Sequence, residues 1–245
     1  MSKSHSASST RLWLMPTLVM LVIAAALVGA FFWGRSTAPP QADSGGEDTA
    51  QQGTEQNQTV PQDVADQVIR RDQDDPLAVG DVDAPVVLVK FSDYQCPFCA
   101  RWNAETLPEL QQYVDNGELR IEWRDINMYG EDSERAAKAA VAAGKQDQFV
   151  EYHAQLFPDG DILENYSAEA LTEIAAETGL DIEQFETDLS SEETADIVAE
   201  NEQLGQSIGA QSTPTFIMNQ TPIVGAQPAE VFVDAFEESL DAAQE

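Results

Sequence analysis

Residues 84–92, APVVLVKFS, form an apolar, β-branched run too short for a helix, which predicts a buried strand. PLAVGDVDAP before it predicts a short strand and a turn. After residue 96 the apolar positions recur at helical intervals, through Trp102, Leu107, Leu110 and Tyr113, up to Gly117. Pro108 is expected to kink this helix, since it has no N–H to donate. ELRIEWRDI, 118–126, alternates at Leu119, Ile121 and Trp123 and predicts a second strand with one buried face. From about 131 to 208 the chain turns Ala-, Glu- and Leu-rich and reads as five successive helices. Ser167 and Ser191, each with acidic residues in the following turn, are the expected N-caps, and Gly179 and Gly209 the expected stops. Strand signals return at TPTFIMN, 213–219, and PIVGA, 222–226, as a hairpin around Asn219, Gln220 and Thr221. PAEVFVDAFEESLDA closes the chain as an amphipathic helix with Val231, Phe232, Ala235, Phe236 and Leu240 on one side. Strand, helix, strand, helical block, two strands, helix is the order of a small α/β sheet interrupted by a helical insertion.

The N-terminal pattern is of another kind. Residues 12–34, LWLMPTLVMLVIAAALVGAFFWG, carry no charge over 23 positions and have no polar face. A membrane-spanning helix needs about 20 such residues. Lys3 and Arg11 precede the segment, and Trp13 and Trp33 sit near its ends, so the flank 1–11 is expected in the cytoplasm and the rest of the chain outside. Val28-Gly29-Ala30 resembles a signal-peptide cleavage site, but the apolar run continues past it, which favours an uncleaved anchor. No cysteine closely follows, which excludes a lipoprotein anchor. Residues 35–75 are rich in Gln, Gly, Ser, Thr, Pro and acids and read as a flexible acidic linker, with a short helix possible within 61–75. The catalytic domain is expected over 76–245, with its helical insertion at about 128–208.

Charge narrows the partners. Of 12 Lys and Arg, three precede Asp43, so residues from 43 onward set nine basic groups against all 44 acidic ones. Such a surface repels nucleic acid and anionic lipid, and no polyanion partner is expected. Its plain reading is a strongly solvated surface.

The chain has two cysteines, Cys96 and Cys99, three positions apart in FSDYQCPFCARW. Structural zinc needs four ligands, and there is no second pair; the two histidines are His5 and His153. No metal and no cofactor are expected. A purely structural disulfide here closes a very small loop and removes little unfolded-state entropy. Two inert thiols fit poorly in an oxidising compartment. A redox-active dithiol fits best, because the motif stands where a buried strand hands over to a helix. Unpaired N–H groups and the positive end of the helix dipole there favour the Cys96 thiolate. Cys96 is the expected exposed nucleophile and Cys99, one turn on, the shielded resolving thiol; Pro97 suits the first helical turn.

These features together, strand–CPFC–helix, Thr213-Pro214 opening a late strand in STPTF, and the inserted helical block, resemble the DsbA-like thiol–disulfide oxidoreductases of the thioredoxin superfamily, and more narrowly their membrane-anchored bacterial members. The resemblance covers roughly 76–240. It implies a thioredoxin fold with a helical domain over the active site. It also implies a cis Pro214 packed beside the disulfide, and a Thr213 backbone that pairs with substrate. Three features depart from the family pattern. Lys90 stands six positions before Cys96, where many relatives carry a proton-accepting acid, and Asp93 is a turn or capping residue at least as readily as a substitute. Phe98, without charge, stands where the strongest oxidants carry histidine, which implies a less extreme potential; Thr213 also differs from the valine of the best-studied oxidants. His153 is expected to be a packing or surface residue, and Phe149, Tyr152, Leu156, Trp102 and Phe157 to be core.

The function expected on this basis is an extracytoplasmic oxidase. It forms disulfides in unfolded secreted proteins that carry thiols, and a membrane redox partner recycles it. The CxxC pair does not fix direction, so a membrane-tethered reductase or isomerase remains open. A redox-inert binding or chaperone module on the same fold is disfavoured by the intact pair.

Overall fold

The computed structural model describes residues 59–244. The predicted cytoplasmic flank, the anchor at 12–34 and the linker as far as residue 58 lie outside the described residues. Among the described residues no helix is long and apolar enough to cross a membrane.

Five strands make one sheet: β1 (Ala78–Val79), β2 (Val86–Ser92), β3 (Leu119–Asp125), β4 (Thr215–Met218) and β5 (Thr221–Val224), in the order β1-β3-β2-β4-β5. β2 and β3 run parallel at the centre, with Lys90 opposite Trp123 and Ser92 opposite Asp125. The crossover between them is helical, as a parallel pair requires. It comprises α2 (Pro97–Glu105) and α3 (Leu107–Asp115). The single kinked helix expected here is two helices broken at Thr106, with Pro108 in the first turn of α3, where its missing N–H has no partner to lose. β4 pairs antiparallel with β2, and the β4–β5 hairpin turns through Asn219 in the left-handed conformation (φ 50°).

The insertion holds α4 (Glu131–Gly144), α5 (Phe149–Gln155), α6 (Ala168–Glu177), α7 (Ile182–Leu189) and α8 (Glu192–Ser207). Ser167 Oγ caps α6 by accepting the Ala170 N–H at 3.2 Å, and Ser191 Oγ caps α8 by accepting that of Thr194 at 3.1 Å. Small side chains let α4 sit at the centre of the block: Ala136, Ala137, Ala139, Ala140, Ala142 and Ala143 are all buried. At its end Gly144 is required, since a Cβ there would come within 2.0 Å of the Pro76 carbonyl oxygen.

Strand period divides the sheet into two faces. One presents Val86, Leu88, Ile121 and Trp123 to the main core, which includes Trp102, Phe216 and Phe232 in mutual ring contact. The other presents Val87, Val89 and Phe91 to a smaller core with Val68, Ile126 and Ile217. Helix α9 (Ala229–Ala243) buries Phe232, Ala235 and Phe236; Val231, expected on that side, is 40% exposed because it falls a full helical step off the stripe.

Two expectations change. β3 is buried at every position, so its alternate residues Arg120, Glu122 and Arg124 do not face solvent. They are covered by α8 and by the segment placed in the linker. Helix α1 (Gln62–Val68) buries Ala65 and Val68, Val60 N–H donates to the Gln220 carbonyl at 2.7 Å, and the Arg70 and Arg71 amides donate to Glu122. Residues 59–75 are thus part of the folded domain rather than of a flexible tether.

Candidate active site

The central strand β2 ends at Ser92, and Asp93 makes the turn. Its carboxylate accepts from Gln95 N–H at 2.8 Å, Ser133 Oγ at 2.7 Å and Tyr129 N–H at 3.1 Å. Asp93 therefore ties the cysteine loop to the start of the helical insertion. This is the turn role, with three hydrogen bonds accepted.

Cys96 is the N-cap residue of α2 and Pro97 its first helical residue. Both cysteines are reduced. The Cys96 thiol is lowered from its ordinary value to about 6. The largest cause is a hydrogen bond from the Cys99 thiol. Burial opposes the shift, and the Thr213 side chain and the amides of Cys99 and Phe98 add to it. As a neutral thiol Cys96 instead donates to the Thr213 carbonyl, 3.3 Å away. That contact holds the proton on, but it is a single weak acceptor against several donors. Cys99 is shifted the opposite way, upward, first by burial and then by the Cys96 sulfur; Lys90 and Ser92 act against the rise. One sulfur is thus poised as a thiolate and its neighbour held as a thiol. An ultraviolet thiolate titration of the reduced protein should show one group ionising near about 6 and a second staying protonated through neutral pH; a first inflection at the ordinary thiol value of about 8.5 would show that the helix start does not stabilise Cys96.

The exposure expected for Cys96 is corrected. It is 1% exposed, hardly more than Cys99, because the strand-opening loop at Thr213 lies against its sulfur. What is exposed is the rim: Phe98 at 53%, Met128 at 49% and Tyr129 at 56%. Phe98 carries Arg101 over its ring at 5.3 Å. Met128 and Tyr129 were not legible as site residues, since they fall in the loop between β3 and α4, which the Tyr129 backbone ties to Asp93 and Gln95 of the cysteine loop.

Thr213 lies 117 residues from Cys96 in sequence, and it and Pro214 reach it through β4, which pairs with β2 from Leu88 to Phe91. The Thr213–Pro214 peptide bond is cis. The structure therefore brings all four sequence-selected residues, Cys96, Cys99, Thr213 and Pro214, to one end of the sheet. Beneath them Lys90 is fully buried, its Nζ donating to Asn103 Oδ1 at 2.9 Å and lying 4.6 Å from the Trp102 ring centroid. His153 is also buried, with Nε2 3.3 Å from Asn103 Oδ1 and Nδ1 3.2 Å from the Tyr94 hydroxyl. Among the described residues no group of His, Cys, Asp and Glu is arranged to hold a metal ion.

Residues 72–238 match the family model described as Thioredoxin, more than half of the chain. The chain belongs to this family. Among curated members it is 29% identical, over 169 residues, to disulfide bond formation protein D of Bacillus subtilis, covering 66% of this chain and 76% of that one. The crystal structure of oxidised BdbD from Bacillus subtilis superposes with a TM-score of 0.61 at 28% identity, over 67% of this chain and 92% of that one. A thioredoxin-like oxidoreductase from Silicibacter pomeroyi superposes with a TM-score of 0.62 at 29% identity, over 72% and 97% respectively. This thioredoxin-family chain is DsbA-like: its helical insertion, α4 to α8, falls between β3 and β4 of the α/β core.

Proposed function

We propose that the chain is an extracytoplasmic thiol–disulfide oxidoreductase that works as a disulfide-forming oxidase on secreted proteins carrying thiols. In this reading residues 12–34 tether it to the membrane and a membrane redox partner recycles it. The observation that carries the reading is Cys96 at the N-cap of α2 with Cys99 buried one turn on, a geometry that favours a Cys96 thiolate beside a protonated Cys99. Stabilising the thiolate stabilises the reduced protein, which makes its disulfide the stronger oxidant. The relatives named for disulfide bond formation support the same direction.

The assigned roles follow from position. A substrate thiolate attacks Cys96 of the disulfide and Cys99 leaves. A second substrate thiol then displaces Cys96, so two substrate thiols are oxidised and both cysteines reduced. Thr213 and Pro214 form the docking edge: a substrate chain paired to the Thr213 backbone competes for the carbonyl that Cys96 contacts, and so loosens the cover over its sulfur. Phe98, Met128 and Tyr129 offer the apolar contact surface an unfolded chain requires.

The deciding experiment is equilibration of the Cys96–Cys99 pair in a glutathione buffer. Phe98 has no positive charge to add, so the expected potential is less oxidising than the roughly −120 mV of DsbA yet nearer to it than to the roughly −270 mV of thioredoxin. A value at the thioredoxin end would assign a reductase, and no exchange at all a binding module.

A further inference from the structure

Almost every basic side chain among the described residues has a polar partner. Arg70, Arg120, Arg124, Arg135, Lys138 and Lys145 each pair with a carboxylate. Arg71 donates to the Val82 and Ala84 carbonyls, and Lys90 to Asn103. Arg101 is the exception. It is exposed, and among the described residues its guanidinium has neither an ion pair nor a hydrogen bond. Glu105, one turn further along α2, is not paired with it. A free cation stands out in a chain that sets 44 acidic groups against nine basic ones from Asp43 onward.

What Arg101 does contact is the rim of the site. It lies over the Phe98 ring, 5.3 Å from the centroid, within range of a cation–π contact. Phe98 and Arg101 stand three positions apart on α2 and share its exposed side, while Cys99, Ala100 and Trp102 bury the other. A guanidinium held over a ring keeps the N–H donors at its edge free, and those donors form the fork that matches a carboxylate. The ring also restrains the side chain, so less freedom is lost when a partner arrives. The other surface cations take their acceptors from the chain itself; Arg101 takes its acceptor from outside.

We infer that Arg101 is a specificity residue of the exchange reaction, receiving an aspartate or glutamate two or three positions from the substrate cysteine. This inference rests on the exchange reading of Cys96 and Cys99. The spacing follows from the helix. A rise of about 1.5 Å per residue puts Arg101 about 7.5 Å along the axis from Cys96. An extended substrate covers that distance in two or three residues at about 3.3 Å each. The summed negative charge of the domain opposes an acidic chain at long range. At physiological ionic strength that field is screened beyond about 8 Å, so the groups a substrate touches make the choice. At the rim these are the uncharged Phe98, Met128 and Tyr129, and Arg101. Asp93 is buried with three hydrogen bonds accepted, and Asp132 and Glu134, beyond Tyr129, are paired with Arg135 and Lys138.

The test uses the full chain, oxidised at Cys96–Cys99, and three two-cysteine peptides that differ only in carrying Glu, Gln or Lys two and three positions from each cysteine. Single-turnover oxidation is followed as a second-order rate constant at about 0.15 M salt. Each value is divided by that peptide's rate with 2-hydroxyethyl disulfide, an uncharged oxidant, which removes the effect of the flanking charge on the peptide's own thiols. The native protein should favour the Glu peptide over the Lys peptide about threefold, within the range of an exposed ion pair. Arg101→Gln should cut the Glu-peptide rate about threefold more than the Gln-peptide rate. Arg101→Glu should reverse the order of the Glu and Lys peptides. Arg101→Lys should keep only part of the preference, since it keeps the charge and loses the fork. Equal losses on all three peptides in Arg101→Gln would mean a structural role alone. A native preference for the Lys peptide, or an order unchanged in Arg101→Glu, would mean that the field of the whole domain decides. Each of these results overturns the proposal. A native protein that oxidises none of the peptides would instead defeat the exchange reading.

Discussion

Cys96→Ser removes disulfide exchange altogether, and Cys99→Ser converts the protein into a trap. The two outcomes differ because the sulfurs differ in protonation and not merely in position. Cys96 is the sulfur whose negative charge is met by several donors at the start of α2, so it is both the better leaving group from a mixed disulfide and the thiolate present at neutral pH. Serine in its place has no accessible anion there, and turnover should fall to the uncatalysed rate in a peptide-oxidation or insulin-reduction assay. Cys99 is held as a thiol rather than a thiolate, so it does not begin an exchange with solvent-borne thiols. Its loss leaves Cys96 able to form mixed disulfides but without an internal thiol to resolve them. Those adducts should appear as slow bands on non-reducing gels and vanish with reductant. Retained turnover in Cys96→Ser, or adducts in Cys96→Ser and none in Cys99→Ser, would reverse the assignment of the two sulfurs.

The site was legible in sequence to the extent that local rules built it. The strand-to-helix junction at Cys96 follows from an apolar run, a proline at the first helical turn and the helical spacing after it. Thr213-Pro214 came from a resemblance; the residues alone show a proline opening a strand, and it is the β2–β4 pairing that carries it to Cys96. The burial of Cys96 was missed for the same reason, since its cover comes from 117 residues away. Lys90, Asn103, Asp125 and His153 have no shared local signal. They meet because β2, α2, β3 and α5 stack, which period and propensity do not specify. The alternation of β3 misled in a specific way. Polar residues on a strand's second face normally mean solvent. Here three of them form a buried ionic layer, and part of its cover, beside α8, is a segment whose composition resembles a tether.

That layer carries the largest expected effect on stability. Both oxygens of Glu122 are fully engaged: Oε1 accepts from Arg71 N–H and Arg120 Nε at 2.9 Å each, and Oε2 from Arg70 N–H at 3.0 Å and Arg124 Nη2 at 2.8 Å. Burial alone would raise this carboxyl, but Arg124, the Arg70 amide, Arg120 and the Arg71 amide hold it below the usual carboxylate range. Glu122→Ala leaves two buried guanidinium groups, Arg124 keeping Asp75 at 2.6 Å and Arg120 losing its carboxylate, and frees the Arg70–Arg71 turn that lays α1 on the sheet. Removing one partner of a buried ion pair costs about 3–5 kcal/mol. Urea unfolding should show that loss, and limited proteolysis should find the chain near Arg70 and Arg71 opened first. Because the folded-state value is depressed, the glutamate contributes stability above its unfolded value of about 4.3, and that contribution disappears as pH falls through the folded value. The native and Glu122→Ala stabilities should therefore converge in acid. The Cys96 titration should stay where it is, since Glu122 and the cysteine motif lie on opposite faces of the sheet. A loss below about 1 kcal/mol, the range of an exposed pair, would mean that water already reaches this layer and that residues 59–75 are the tether their composition suggests.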